Sequence, residues 1–162
     1  MAAYNFTSIS SSSHWIAGDI QIMTAYYDLN GVALAQNDTI TATNIIPGDG
    51  VKIYDIYCSH TELDTNATPT GTYQVGDAGS ATRFMSSVPM GVNGVTTSGF
   101  QIVNRSNFAP TSTNGVVTAG IGYTYTGTSA TSLIMTINGA VATGATTGII
   151  FLTVVYRCVG NA

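Results

Sequence analysis

The sequence predicts an all-β protein: a single-domain β-sandwich behind an N-terminal arm. Three observations carry this. Helix formers are scarce, with one Glu, one Lys and five Leu among 162 residues. Thr, Val, Ile and Tyr are abundant, and their branched or aromatic side chains suit a pleated, half-buried surface. Runs of strand length, alternating or wholly apolar, recur between Gly, Asn, Asp and Pro. A chain near this length buries roughly 70% of its unfolded surface, so its core needs no disulfide or metal.

Residues 1–28 read as the arm and its lead-in, and residues 29–162 as the sandwich. The first 13 residues end in four serines, Ser10 to Ser13, and carry little to bury. They are expected to be ordered mainly by other subunits. His14 to Tyr27 is open between two readings. Ile16, Ile20, Met23 and Tyr27 keep helical spacing, while Ile20 and Ile22 alternate with Asp19 and Gln21 as in a strand. Asp28-Leu29-Asn30-Gly31 is a turn. Strands are then expected over Val32 to Ala35, Asp38 to Ile46 and Val51 to Cys58. Pro47-Gly48-Asp49-Gly50 makes the tight turn before the last of these, because Pro sets φ and Gly tolerates positive φ. Thr61 to Pro69 is a polar excursion. Gly71 to Val75 and Arg83 to Val88 resume the sheet.

Ser86 to Ala119 is the least regular stretch, with one strand expected over Phe100 to Val103. Irregular stretches this long inside a compact domain tend to form functional surfaces. Gly122 to Thr126, Leu133 to Val141 and Gly148 to Cys158 complete the strands. The last is apolar on both faces, as a central strand is. Ile53, Ile56, Ile137, Ile150, Leu152 and Val154 are the expected core.

The charge count narrows the function classes. The chain has four Lys or Arg, eight Asp or Glu and a formal net charge of −4. A domain this size exposes roughly 7,600 Å², whereas small soluble domains place charge at about 25–35% of surface positions. So neutral a surface loses little when buried against other proteins. No basic patch exists to neutralise phosphates, so nucleic acid is not an expected partner. No polybasic segment addresses an anionic membrane, and the longest apolar run is too short to span a bilayer. No signal-peptide pattern opens the sequence.

Catalytic and metal-binding patterns are missing. His14 and His60 lack a nucleophile-elbow context for a Ser-His-Asp arrangement. Cys58, His60, Glu62 and Asp64 are the only place where a metal site could be assembled. One Cys and one His fall short of four convergent zinc ligands, and a strand end entering a polar loop accounts for all four. The carboxylates lack calcium-loop spacing. Gly76-Asp77-Ala78-Gly79 lacks the Lys and helix of a phosphate loop. No catalytic residue, metal or cofactor is expected. Cys58 and Cys158 fit either one bridge or two buried thiols. Tyrosines on or beside strands suit core packing, subunit contacts or carbohydrate stacking.

Two segments, GTYQVGDAGSATRF (Gly71 to Phe84) and Gly120 to Tyr156, beginning GIGYTYTGTSATSLIM, are similar to the small capsid decoration, or cement, proteins of tailed bacteriophages. In that family a strand ending Val-Gly-Asp precedes an Arg-Phe or Gly-Phe pair. An aromatic-x-aromatic strand follows near the C-terminus. The resemblance spans Val32 to Tyr156 and implies a jelly-roll sandwich assembled as homotrimers. The matching positions are Gly76, Asp77, Arg83 and Phe84, then Gly122, Tyr123 and Tyr125. They are expected to be structural, with Asp77 capping its turn and Phe84 anchoring the loop. Residues 86–119 depart from the pattern. Tyr4, Phe6, Trp15, Tyr26 and Tyr27 are candidate capsid or subunit contacts.

The expectation is a non-enzymatic virion protein that binds the capsid exterior and bridges capsomers after assembly in the host cytoplasm. Its partners would be the major capsid protein and itself. The alternative is a carbohydrate- or receptor-binding module of a phage fibre or spike.

Overall fold

The computed structural model describes residues 1–10, 20–48, 50–94, 101–105, 111–113 and 116–159. Among these there is no helix. The strands are β1 (Ala3–Asn5), β2 (Thr7–Ser10), β3 (Ile20–Asp28), β4 (Thr39–Ile46), β5 (Val51–Thr61), β6 (Thr72–Asp77) and β7 (Ser80–Pro89). They continue with β8 (Gln101–Arg105), β9 (Thr111–Thr113), β10 (Val116–Ala119), β11 (Thr124–Tyr125), β12 (Thr131–Ile137) and β13 (Ile149–Cys158).

Pairing is nested. β3 pairs with β13, β4 with β12, β5 with β8 and β6 with β7, all antiparallel. A long ribbon of paired strands has rolled up, with its tip at the β6–β7 turn. The roll lays β1-β4-β12-β6-β7 in one sheet and β11-β5-β13-β3-β2 in the other, with β8 also on β5. This is the two-sheet wrapping of a jelly roll, as the sequence predicts.

The core lies between the sheets. All six expected core residues, Ile53, Ile56, Ile137, Ile150, Leu152 and Val154, are fully buried there, along with Ile40, Tyr73, Phe84 and Met135. β13 is central, between β5 and β3. Its inward residues alternate, because successive side chains on a strand point to opposite faces. A bulge at Tyr54 lets both Tyr54 and Asp55 face outward opposite β13.

Residues 86–119, expected to hold one strand, carry β8, β9 and β10, and three further expectations change. The first ten residues are strands of their own chain: β1 adds in parallel to β4, and β2 lies antiparallel on β3. Phe6 is buried in the core. The expectation that this segment has little to bury in its own domain therefore fails for residues 1–10. An apolar ring every second or third residue (Tyr4, Phe6) is enough once two open sheet edges are available. Residues 11–19, with His14 and Trp15, lie outside the described residues. Second, Ile20–Asp28 is a strand paired along its whole length with β13, so the sandwich includes the stretch assigned to the lead-in. Its alternation outweighs its helical spacing because β13 offers nine partners. Third, Val32 to Ala35 is not a strand. Its amides are taken locally: Val32 N–H bonds the Leu29 carbonyl at 2.8 Å, and Ala35 N–H bonds Asp38 Oδ2 at 3.0 Å.

Both cysteines are free. Cys58 is fully buried opposite Leu152, and burial pushes its thiol up to about 12.

Candidate functional site

The family-like positions converge at one edge of the sandwich, where the β6–β7 turn of one sheet meets β11 of the other. Asp77 ends β6, and its Oδ1 accepts the N–H groups of Gly79 and Ser80, both at 2.9 Å. That closes the turn. Arg83 returns along β7 and donates from Nε to Oδ2 at 2.6 Å and from Nη2 to Oδ1 at 3.1 Å. The Tyr125 hydroxyl donates to Oδ2 at 2.6 Å. One carboxylate thus gathers a turn, a cation and a phenol from both sheets.

Aromatic rings wall this cluster. The Arg83 guanidinium sits 4.1 Å from the Tyr123 ring centroid, a geometry in which the ring's electron-rich face attracts the cation. Tyr123 and Tyr125 are edge-on at 4.8 Å, and Phe84 lies 6.3 and 6.5 Å from them. Phe84 is fully buried. Two glycines allow the close approach. A Cβ on Gly76 would lie 2.0 Å from the Ser80 carbonyl oxygen, and Gly122 has φ +89°, where L side chains are strained.

Burial raises the Asp77 carboxyl, but the bonds from Arg83, Tyr125 and Ser80 overcome this and hold it below the usual range. Burial and the Asp77 bond both push the Tyr125 phenol up. The arrangement is saturated: every acceptor direction on Asp77 faces a protein donor. It can lock two sheets together but holds no open position for a substrate.

The contact candidates divide by face. Tyr4 and Phe6 pack on Tyr27, with ring centroids 5.4 and 6.4 Å apart, on the inner side. Tyr26 faces outward, 6.4 Å from Phe151. Phe6, being buried, offers little to a partner.

The end of β5 and the polar stretch after it hold features that sequence reasoning missed. His60, Glu62 and Asp64 are all buried. Burial lowers His60 to about 4 despite the bond from Nδ1–H to the Thr61 carbonyl at 2.7 Å, and the ring stands edge-on to Tyr73 at 5.4 Å. His60 is therefore a core position and not a surface one. Asp64 accepts N–H groups from Asn66, Thr70, Gly71, Ala142 and Thr143 at 2.8–3.3 Å. Those residues come from two loops far apart in sequence, so only the fold reveals the node. Burial raises its carboxyl, yet the bonds from Thr143, Gly71, Ala142 and Thr70 bring it below normal. Burial raises Glu62, whose Oε1 accepts the Val92 N–H at 2.7 Å. Among the described residues no group of three or more His, Cys, Asp or Glu converges to hold a metal ion.

No protein-family model and no curated protein matches the chain. Solved structures do. A chain of the Cyanophage Pam1 capsid asymmetric unit is similar with a TM-score of 0.60 and 24% identity, over 92% of this chain and 91% of that one. A chain of the capsid of Ralstonia phage GP4 is similar with a TM-score of 0.58 and 20% identity, over 91% and 90%. At these identities the likeness is one of fold: this sandwich, nearly end to end, is a fold found among the chains of two phage capsids.

Proposed function

We propose that this chain is a non-enzymatic structural protein of a phage virion that binds the outside of the capsid and bridges neighbouring capsomers. The observation that carries this reading is the likeness to chains of two phage capsid structures over nine-tenths of both lengths. The charge poverty of the sequence, with only eight acidic and four basic residues, supports it. A surface of Thr, Ser, Asn and apolar atoms sheds little hydration when pressed on another protein. The saturated Asp77 cluster fits a clamp, which needs rigidity rather than an open site.

In this reading the partner is the major capsid protein, and three copies act together. Each copy can hold weakly, because linked sites bind with avidity that exceeds any single contact. Assembly takes place in the host cytoplasm, on the exterior of the shell. Co-sedimentation with capsids lacking the protein tests this. The expected result is saturable binding and a higher temperature of capsid disruption. No binding to capsids, with selective retention on a glycan array, would instead establish the carbohydrate-binding reading.

A further inference from the structure

Asparagine followed by glycine is the step of a protein chain most open to deamidation, because glycine has no side chain to shield its amide. The chain has four such steps, at Asn30, Asn93, Asn114 and Asn138. Asn114 lies outside the described residues. The reaction is intramolecular. The glycine nitrogen loses its proton and attacks the asparagine Cγ, the bond from Cγ to Nδ2 breaks, and ammonia leaves with the proton. Water then opens the resulting succinimide at either carbonyl, to aspartate or isoaspartate. Ring closure needs a glycine N–H free to lose its proton. It also needs a main chain free to turn that nitrogen onto Cγ.

The fold withholds both. At each described step the glycine N–H donates to a distant carbonyl: Gly31 to Thr146 at 2.8 Å, Gly94 to Ala67 at 2.9 Å and Gly139 to Thr72 at 3.1 Å. The asparagine side chains differ. Asn30 and Asn93 are exposed, whereas Asn138 is half-buried. Asn138 is held at every polar atom. Its N–H donates to the Thr72 carbonyl at 3.0 Å, the same oxygen that takes the Gly139 N–H. Its carbonyl accepts Gln36 Nε2 at 3.1 Å. Its Oδ1 accepts the Thr72 hydroxyl at 2.8 Å, and its Nδ2 donates to Gln74 Oε1 at 3.3 Å and Ser87 Oγ at 3.2 Å. These partners come from the loop before β4, from β6 and from β7. The Asn138 Cγ can therefore turn only if the exit of β12 leaves its neighbours.

We propose that Asn138-Gly139 is a guarded deamidation site: the folded chain keeps it unreactive, and a chain that unfolds loses ammonia there and does not regain the native junction. Either product damages that junction. Aspartate replaces the NH2 that donates to Gln74 and Ser87 with an oxygen that accepts. Isoaspartate routes the main chain through Cβ, which puts an extra backbone atom between the two N–H groups that share the Thr72 carbonyl. Unfolding then becomes irreversible through chemistry on the unfolded chain. The guard works in the isolated chain and needs no shell.

Peptide mapping by mass spectrometry tests this on the full wild-type chain, aged at mildly alkaline pH both folded and in denaturing urea. The three described steps follow Leu29, Val92 and Ile137, all bulky and aliphatic, so in urea they should convert at similar rates. In the folded chain Asn138 should convert at least about tenfold more slowly than in urea, because reaction waits on opening of the junction. It should also convert more slowly than Asn30 and Asn93. Removing the urea then tests the consequence. Chains that refold, separated by size exclusion, should keep Asn138 intact while carrying converted Asn30 and Asn93. Equal conversion of Asn138 in folded and unfolded chains would overturn the guard, as would conversion faster than at Asn30 and Asn93 in the folded chain. Refolded chains as fully converted at Asn138 as the unfractionated sample would overturn the loss of the junction.

Discussion

Asp77 shows what a single carboxylate does in a chain with so few charges. Its ion pair with Arg83 is nearly enclosed, with side chains 5% and 12% exposed, so losing one partner strands the other. Arg83→Ala should cost about 3–5 kcal/mol, the range for breaking a buried pair. Tyr125→Phe removes one bond to a charged group and should cost about 1.5–3 kcal/mol. Urea melts of the single and double variants would measure both, and the pair should be non-additive because they share Asp77. Equal, additive losses near zero would mean the cluster is decorative. The turn cap is legible in the sequence, since Asp two residues before Gly is a local pattern. The phenol arriving from β11 is not, because 48 residues separate Tyr125 from Asp77.

The acid limb of stability belongs to the same residues. Asp64 and Asp77 sit below their ordinary value of 3.8 in the folded chain. Unfolded chains therefore bind protons first, and the stability these groups supply is complete above about 3.8 and lost as pH falls through the folded values. Glu62 has the opposite sign. Its folded value lies above 4.5, so its contribution is largest below 4.5 and declines as pH rises through the folded value. Denaturant melts from pH 2 to 8 should show the acid fall shrink in Asp64→Asn, once that variant's lower overall stability is subtracted. In Glu62→Gln the decline above pH 4.5 should disappear. A profile unaltered by either substitution would refute the assignment.

At the scale of the strand, the two faces of one sheet have opposite energetics. Ile150 on β13 is fully buried and Ile22 on β3 is largely exposed. Ile150→Ala should cost about 2–5 kcal/mol through lost burial and a cavity. Ile22→Thr should stay within about 0.5 kcal/mol in the monomer. Phe6→Ala tests β1 and β2 likewise: its buried ring predicts a loss of about 3–5 kcal/mol, measured by the same melts. A loss under 1 kcal/mol would return residues 1–10 to the status of a loose arm. Strand existence was mostly readable, because β4, β5, β12 and β13 alternate or run apolar between strong breakers. β1 and β2 were not, because three or four residues carry too little periodicity to be told from a tail. Their place depends on the open edges of β4 and β3, which local sequence does not mark.

At the scale of the molecule, nesting sets the folding problem. The outermost pair joins Asp28 to Ile149, at opposite ends of the chain, and the loop between them must be closed before the pair yields any stabilisation. Refolding by stopped-flow fluorescence should therefore be slow, on the order of milliseconds to seconds, as for other sandwiches dominated by distant pairings. Microsecond refolding would mean that β3 and β13 dock late onto an already stable body.

Composition and spacing by themselves determined that the chain is all-β, where its central strands lie and six of the side chains that fill the core. These follow from short-range rules: side-chain shape, a two-residue period, and turn residues that tolerate unusual φ. The tertiary structure alone decided that β3 pairs with β13, that Asp64 ties two distant loops together and that His60 is buried. Each of these joins residues tens of positions apart, and the energy that selects them appears only once both sheets are in place.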